Sequence, residues 1–333
     1  MNILITGGAG YIGSHVVKLF GEQTTHNLFV IDNLSTGNRN SVLSGRLIEC
    51  DLADVDYLNY LFLEYSFDVV MHFAASVDVN TSHLMPIQYY KNNIVNTVNL
   101  VELCLKHHVG SFIFSSTAAV YGNPIEQSVL IDEMNETSPI SPYGKSKLIC
   151  EQILQDVAKV NDHFKFGILR YFNVAGASMD GRIGQVTPEA TRLIKVAAQC
   201  AIGKRTKVRV FGTDYETIDG TCIRDYIHVE DIANAHLKVL LYMQKTKKSA
   251  TFNCGYGKGY SVLEVIQAMR RVSGHAIPVE TAPRRHGDVV SLVSNSNYLI
   301  QNTGWMPQHA NLDSICKSAF LWEKKIAALE SIA

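Results

Sequence analysis

The sequence has no long hydrophobic run, no excess of charge of either sign and no paired cysteine motif. Its 333 residues include 30 Lys+Arg and 31 Asp+Glu, which gives a formal net charge of -1. Bulk binding to nucleic acid or to an acidic membrane surface needs a basic excess, so this balance excludes both partner classes. No apolar stretch reaches the roughly 18–20 residues of a transmembrane helix, so no membrane span is predicted.

The seven cysteines stand apart from one another and form no CxxC pair. The sequence also has no HExxH motif and no Cys/His cluster with the spacing of a zinc site, so we expect no bound metal. Residues 1–7 lack the basic region and the cleavage site of a signal peptide. We therefore expect a cytoplasmic protein whose thiols are reduced.

Short apolar runs alternate with amphipathic stretches through the first half of the chain. Continuous apolar strands separated by helices are typical of a parallel sheet covered on both faces. The sequence therefore predicts an α/β fold of the Rossmann type, with a doubly wound parallel sheet. The predicted strands are residues 2–6, 28–32, 46–50, 67–73, 111–115 and 166–171.

The pattern loosens after residue 173 and predicts a smaller α+β lobe over the strand ends. Residues 208–211 read as a strand, and helices are predicted over 189–202, 229–243 and 262–272. The expected division gives a Rossmann domain over residues 1–172, with returning segments near 222–247, and a second lobe formed mainly by residues 173–333.

A glycine turn, GGAGYIG over residues 7–13, lies between the first predicted strand and the first helix. Such a turn lets backbone amides approach a pyrophosphate at the positive end of the helix dipole. Asp32 ends the next strand, where it can accept hydrogen bonds from the adenosine ribose and would repel a 2′-phosphate. The pattern favours NAD over NADP, and a turn needed only for packing is the alternative. The turn residues expected at the cofactor are Gly7, Gly10, Tyr11, Ile12 and Gly13.

Three further residues belong to the expected adenosine end of this site. Asn33 follows Asp32 and can add a contact to the ribose or the adenine. Asp51 and Leu52 follow the third strand and are candidates for the adenine pocket. Asp51 is equally well placed to cap the next helix.

Tyr143 and Lys147 are four residues apart, on one face of a helix predicted to begin near Ser141-Pro142. A free tyrosine, with a pKa of about 10, is a poor base at neutral pH. A neighbouring ammonium and the positive nicotinamide ring favour the phenolate, so the pair suits proton removal during hydride transfer. An exposed helix with ordinary lysines is the alternative.

The segment SSTAAVYG, residues 115–122, follows the fifth predicted strand. It lies at the carboxyl edge, where open α/β sheets bind ligands. Thr117 is the candidate to hydrogen-bond the reacting substrate oxygen. The alternative is a Ser-Ser-Thr run that only shapes a turn.

Motifs spread over nearly the whole chain carry a family resemblance. They are TGGAGYIGSH at 6–15, SSTAAVYG at 115–122, YGKSK at 143–147, RYFNVAGA at 170–177 and DGTCIRDYIHVEDIA at 219–233. The sequence resembles the UDP-glucose 4-epimerases, also called UDP-galactose 4-epimerases, of the extended short-chain dehydrogenase/reductases. The resemblance implies that NAD stays bound while a UDP-hexose is epimerised through a transient 4-keto sugar. It also implies a homodimer through a helix bundle, built from the helix over residues 87–105 and the Tyr143 helix.

The resemblance also implies the roles of individual residues. Tyr143 would be the base, Lys147 its electrostatic partner and a ligand of the nicotinamide ribose, and Thr117 a partner of the sugar 4-oxygen. Further cofactor contacts would be Phe73, Ala74, Ala75, Asn93, Ser115 and Tyr171. Substrate contacts would be Tyr171 and Asn173 at the hexose, Arg192, Leu193, Val210 and Phe211 near the uridine, Arg224 and Arg285 at the diphosphate, and Asp288 at the uridine ribose. Two guanidiniums suit a diphosphate because they form forked hydrogen bonds.

Leu292 corresponds to the residue that borders the sugar 2-position in the resembling family. Members restricted to glucose and galactose carry a bulky tyrosine there, and a leucine leaves more room. The sequence therefore predicts acceptance of UDP-GlcNAc and UDP-GalNAc as well as UDP-Glc and UDP-Gal. A leucine that packs inward and leaves the pocket unchanged is the alternative.

Three competing functions would each require features that differ from those of this sequence. A sugar-nucleotide 4,6-dehydratase needs acids beside Thr117, where this chain has Ala118 and Ala119. A reductase that uses NADP would carry a cation after the second strand. A non-catalytic NAD-binding sensor would have little use for Tyr143 and Lys147 or for two diphosphate arginines.

Overall fold

The computed structural model describes residues 1–123, 130–187, 191–285 and 287–330. Its strands, in chain order, are β1 (Asn2–Thr6), β2 (Asn27–Asp32), β3 (Arg46–Glu49), β4 (Val69–His72), β5 (Ser111–Thr117), β6 (Lys165–Tyr171), β7 (Asn173–Ala175), β8 (Val208–Phe211), β9 (Ile223–His228), β10 (Ala250–Cys254), β11 (Gly259–Ser261), β12 (Val279–Ala282) and β13 (Ser291–Leu292).

The helices are α1 (Tyr11–Gln23), α2 (Val55–Tyr65), α3 (Val79–Leu84), α4 (Pro86–Tyr90), α5 (Asn96–Lys106), α6 (Pro142–Val160), α7 (Leu193–Ala201), α8 (Val229–Thr246), α9 (Val262–Ser273), α10 (Asn297–Thr303) and α11 (Leu312–Glu330). Helices α4 and α5 are joined by a π-helical turn over Lys91–Val95. None of the helices in the described part of the chain is long and apolar enough to cross a membrane.

The main sheet has seven parallel strands in the order β10-β6-β5-β4-β1-β2-β3. This confirms the predicted Rossmann-type sheet, and all six strands predicted in the first half are present with slightly different ends. The seventh strand, β10, was not predicted. Strand β10 begins just after the segment near 222–247 that was expected to return to the main domain. That segment itself forms β9 and α8.

Helices cover both faces of this sheet. One buried apolar cluster joins it to α1 and α8, and a second joins it to α2, α5 and α6. The strand order reverses between β1 and β4, because β1 pairs with β2 on one side and with β4 on the other. In open α/β sheets this reversal opens a crevice at the carboxyl ends of the strands, which is where ligands bind.

The remaining strands form smaller sheets. β9 pairs with β7, β11 and β13, and β8 pairs with β12. Helices α7, α9 and α11 pack around a separate apolar cluster. The helix predicted over 189–202 begins at Leu193 because Arg192 has extended backbone angles at its N-terminus. Residues 188–190 lie outside the described residues.

A buried polar network fixes the ends of β5 and β6. Arg170 contacts Glu151 at 2.6 Å, and the Ser116 hydroxyl donates to the same carboxylate. Arg170 also donates to the Tyr121 hydroxyl, which donates in turn to Asn253 on β10. Removing one partner of a buried ion pair costs about 3–5 kcal/mol. The network therefore holds the strand that ends at Thr117 firmly in place.

Candidate active site

A large cleft, with a cavity volume of about 1390 Å³, opens at the carboxyl ends of the main-sheet strands. The glycine turn and Asp32 line one end of it. Tyr143 and Thr117 lie in its wall, and Phe211 and Arg285 belong to the part contributed by the second lobe. The cleft is thus shared by the parallel sheet and the smaller lobe.

The glycine turn is sterically restricted to glycine. Gly7 has a φ of 70°, and a Cβ there would lie 2.5 Å from the backbone nitrogen of Ala74. A Cβ on Gly13 would overlap the Gly7 carbonyl oxygen. Helix α1 begins after Gly10, which has no side chain to cap it, so the amides of its first turn remain for a ligand. A phosphate group fits this position.

Asp32 is anchored beside the turn. Its Oδ2 accepts a hydrogen bond from the backbone nitrogen of Ala9 at 3.0 Å, and its Oδ1 accepts one from that of Leu34 at 2.8 Å. Burial raises the pKa of Asp32, and these two hydrogen bonds oppose the shift. The carboxylate oxygens can accept hydrogen bonds from ribose hydroxyls, so the residues present fit NAD. The 2′-phosphate of NADP would be repelled there by the negative charge of the Asp32 carboxylate.

Asp51 lies before α2 but does not cap it. Its Oδ2 accepts from the Asn33 side chain at 2.8 Å and its Oδ1 from the Ala53 backbone nitrogen at 2.9 Å. Helix α2 is capped by Asp54 instead, so the helix-cap alternative for Asp51 was wrong. Asp51 lines the cleft.

Helix α6 brings Tyr143 to the end of β5. The Ser141 hydroxyl accepts from the Gly144 backbone nitrogen at 3.0 Å, with Pro142 in the first turn. A Cβ on Gly144 would lie 2.7 Å from the Ala119 carbonyl oxygen, so the helix packs directly on the turn that follows Thr117. Burial raises the pKa of Tyr143, whereas a hydrogen bond with the Thr117 side chain and the charge of Arg192 lower it.

Lys147 lies one turn further along α6, behind the cleft wall. Its Nζ donates to the Ser115 carbonyl oxygen at 2.8 Å and lies 4.7 Å from the centre of the Phe114 ring. Burial lowers the pKa of Lys147 to about 8. The ammonium is therefore held at the base of the site, in contact with the strand that carries Thr117.

Thr117 shapes the turn and also borders the cleft. Its hydroxyl accepts from the Ala119 backbone nitrogen at 3.1 Å, as the turn alternative required, and its side chain lowers the pKa of Tyr143. Tyr171 lies opposite Thr117 in the β5–β6 register. The Tyr171 hydroxyl is 2.6 Å from Nε2 of His236. Thr117 and Tyr171 both line the cleft.

The arginines of the second lobe are held by neighbours. The Arg285 guanidinium lies 3.7 Å from the centre of the Phe211 ring. Arg224 on β9 lies 3.9 Å from Asp288 and donates to the Ile223 carbonyl oxygen. Both guanidiniums line the cleft, where a diphosphate would find cations with fixed orientation.

Most residues predicted for the site lie in the cleft wall. The exceptions are Asn93, Lys147 and Val210, which are buried behind it. The Asn93 side chain bonds the backbone of Ser76 and the Ser146 hydroxyl, so it ties the π-helical turn to α6. The residues that line the cleft are Gly7, Gly10, Tyr11, Ile12, Gly13, Asp32, Asn33, Asp51, Leu52, Phe73, Ala74, Ala75, Ser115, Thr117, Tyr143, Tyr171, Asn173, Arg192, Leu193, Phe211, Arg224, Arg285, Asp288 and Leu292.

Sequence reasoning missed some cleft residues. Ser35 and Thr36 lie at the Asp32 end, and the polar Ser-Thr-Gly run was the available signal. Trp322 and Glu323 reach the cleft from α11. No local motif marks them, because they are brought there by packing of the C-terminal helix.

The chain belongs to the NAD dependent epimerase/dehydratase family, whose model matches residues 3–255. The predicted family and the expected dependence on NAD are thereby confirmed. A UDP-glucose 4-epimerase from Azospirillum brasilense is 46% identical over 325 residues, which cover 97% of this chain and 92% of that protein.

Solved structures give the same relationship. The UDP-Glc/GlcNAc 4-epimerase of the human pathogen Campylobacter jejuni is 51% identical, with a TM-score of 0.85 over 97% of this chain and 99% of that one. A UDP-glucose-4-epimerase from Stenotrophomonas maltophila, solved with bound NAD and formylated UDP-arabinopyranose, is 35% identical. Its TM-score is 0.94 over 99% of each chain.

Proposed function

We propose that this protein interconverts UDP-hexoses at C4 with NAD as a permanently bound cofactor. The observation that carries the proposal is that Tyr143, at the start of α6, and Thr117, at the end of β5, line the same cleft as the glycine turn. Thr117 is followed by Ala118 and Ala119, so the turn after β5 supplies no carboxylic acid for the elimination of water. That argues against a 4,6-dehydratase.

Each side chain of the cleft has a separate role in the proposed reaction. Tyr143 takes the proton of the sugar 4-hydroxyl, and Thr117 orients that oxygen. Lys147 holds a positive charge at the end of β5, while Arg224 and Arg285 bind the diphosphate and Asp288 the uridine ribose. The glycine turn and Asp32 would hold NAD, and the bound cofactor would supply reversible hydride transfer at C4 of the sugar.

Leu292 supports the proposal that N-acetylated UDP-hexoses are also substrates. It is buried at 7% exposure, in an apolar cluster with Ala118 and Phe172, and it also forms part of the cleft wall. A leucine at this place leaves room that a tyrosine would fill. The Campylobacter jejuni relative is described as acting on both UDP-Glc and UDP-GlcNAc.

We also propose the division of labour between the two parts of the chain. Residues 1–172, with α8 and β10 returning to the sheet, would bind NAD, and residues 173–333 would mainly bind the UDP-sugar.

All seven cysteines are free and buried, which fits reduced thiols and supports a cytoplasmic location.

A homodimer is the proposed assembly, through the helices around α4, α5 and α6. This surface exposes apolar side chains at Ile87, Val95 and Ile149, of which Ile87 is 64% exposed. Exposed apolar residues grouped on neighbouring helices fit a helix-bundle interface.

The assembly predicts a mass of twice the 36.9 kDa chain in sedimentation at micromolar concentration. Ile87→Lys should shift the protein toward the single chain, because a charge would be buried in the interface. Leu321→Lys, at an exposed position on α11, is the matched control and should leave the mass unchanged. A wild-type protein that sediments as one chain would contradict the dimer.

Tyr143→Phe should lower turnover of UDP-galactose by about 10²–10⁴-fold, because the base is lost while the ring remains. The melting temperature and the amount of bound NAD should stay at the wild-type level. Tyr60→Phe, at an exposed tyrosine on α2, is the control and should keep full activity. Full activity in Tyr143→Phe, or a dehydrated product from the wild type, would refute the proposed function.

Leu292→Tyr should lower kcat/KM for UDP-GalNAc by at least about tenfold, since the added phenol fills the space for the acetamido group. Activity on UDP-galactose should change far less. Leu321→Tyr, on the surface of α11, controls for the added ring. UDP-galactose and UDP-GalNAc are assayed on the same enzyme preparation. A wild-type enzyme that converts UDP-galactose but not UDP-GalNAc would disprove the acceptance of N-acetylated substrates.

A further inference from the structure

His72 is a buried histidine at the end of β4, directly before the residues expected at the cofactor from Phe73 onward. Both nitrogens of its ring are hydrogen-bonded. Nδ1 lies 2.7 Å from the hydroxyl oxygen of Thr6, and Nε2 lies 3.0 Å from that of Thr97. Thr6 is the last residue of β1 and directly precedes the glycine turn. His72 therefore connects the cofactor end of the sheet to α5, which carries Thr97.

The bonds around Thr97 determine which nitrogen of His72 carries the proton. The Thr97 hydroxyl donates to the Asn93 carbonyl oxygen at 2.6 Å, so its oxygen has to accept from His72. Nε2 of His72 is therefore protonated, and Nδ1 accepts from the Thr6 hydroxyl. Burial lowers the pKa of His72 to about 3, and the charge of Lys147 adds to this effect. The ring is thus neutral at neutral pH, in a single tautomer.

Asn93 continues this path of hydrogen bonds into α6. It is buried in the middle of the π-helical turn that joins α4 to α5. Its Nδ2 donates to the buried Ser146 hydroxyl at 3.0 Å, and this hydroxyl donates to the Tyr143 carbonyl oxygen at 2.7 Å. The whole sequence of bonds, here called the His72 path, runs through Thr6, His72, Thr97, Asn93 and Ser146 to Tyr143.

Helix α6 is thereby anchored in two directions. Its close approach to Ala119 and its bond to Ser115 tie it to the end of β5, beside the group that would orient the substrate oxygen. The His72 path ties the first turns of the same helix to the ends of β1 and β4, which border the cofactor end of the cleft. Proton removal depends on the first anchor, and alignment of the base with the cofactor depends on the second.

We propose that His72 is a positioning residue that keeps the Tyr143 end of α6 at a fixed distance from the glycine turn. The inference rests on the proposed function, in which Tyr143 and the cofactor act on the same carbon–oxygen bond of the sugar. His72 and Thr97 are not among the residues that line the cleft, so they act through Tyr143 and the glycine turn. A buried path with every donor and acceptor used is rigid enough for this role.

The first test breaks the His72 path in its middle with Thr97→Val, which keeps the shape of the side chain and removes the hydroxyl. The kcat for UDP-galactose should fall about three- to tenfold, because the base and the cofactor are less well aligned. KM should stay at the wild-type level, since Arg224 and Arg285, which would hold the diphosphate, do not belong to the path. Thr97→Ser restores the hydroxyl and should return kcat close to the wild-type value.

Phe164→Leu is the control for a loss of stability alone. Phe164 is buried just before β6, at the amino end of the strands and so opposite the cleft. The substitution should lower the melting temperature, whereas kcat measured well below that temperature should not change. An equal loss of kcat in Phe164→Leu and Thr97→Val, an unchanged kcat in Thr97→Val, or no recovery in Thr97→Ser would overturn the inference.

A second measurement uses the wild-type protein and does not depend on turnover. NMR of the protein with isotope-labelled histidine distinguishes the two neutral tautomers, and the signal of His72 is identified by its absence in His72→Gln. The ring should be neutral at neutral pH, with its proton on Nε2. A proton on Nδ1, or a charged ring, would contradict the path, because Thr97 and Thr6 could not then make the bonds described. Failure of the proposed function would appear separately, as wild-type protein without activity on UDP-galactose.

Discussion

The site depends on the contact between the first turn of α6 and the turn that follows β5. Gly144 lets the helix backbone approach the Ala119 carbonyl oxygen so closely that any larger residue would push it away. That approach brings Tyr143 into the cleft that Thr117 also lines, and it brings the Lys147 ammonium to the Ser115 carbonyl oxygen. The buried pair of Arg170 and Glu151 keeps the strand end from shifting, so the reacting groups are held before any ligand arrives.

The same geometry produces opposing effects on the base. Removing Tyr143 from water raises its pKa, which is unfavourable for a group that must ionise. The Thr117 side chain and the charge of Arg192 lower the pKa of Tyr143 and so oppose the effect of burial. The buried Lys147, with a pKa lowered to about 8, is most fully charged below that pH. Compensating interactions are therefore required, since burial alone would leave the phenol a poor base.

Much of this was predictable from the sequence, and the exceptions have physical causes. The apolar runs predicted the strands of the main sheet, and the glycine turn predicted the cofactor end of the cleft. Both are local features, because they are formed by residues that are neighbours in the sequence. β10 was missed because its place in the sheet is decided by tertiary pairing with β6. The roles of Asn93 and Arg192 are likewise set by contacts distant in sequence: Asn93 ties Ser76 to α6, and Arg192 packs on Tyr11. Local pattern carries no information about such partners.

The central claim is that the hydride removed from the sugar returns to the same carbon within one active site. UDP-galactose carrying deuterium at C4 tests it most directly. The UDP-glucose formed should retain the deuterium at C4, and unlabelled substrate in D₂O should gain none there. Loss of the label to solvent, or reduced cofactor that accumulates in proportion to product, would contradict it.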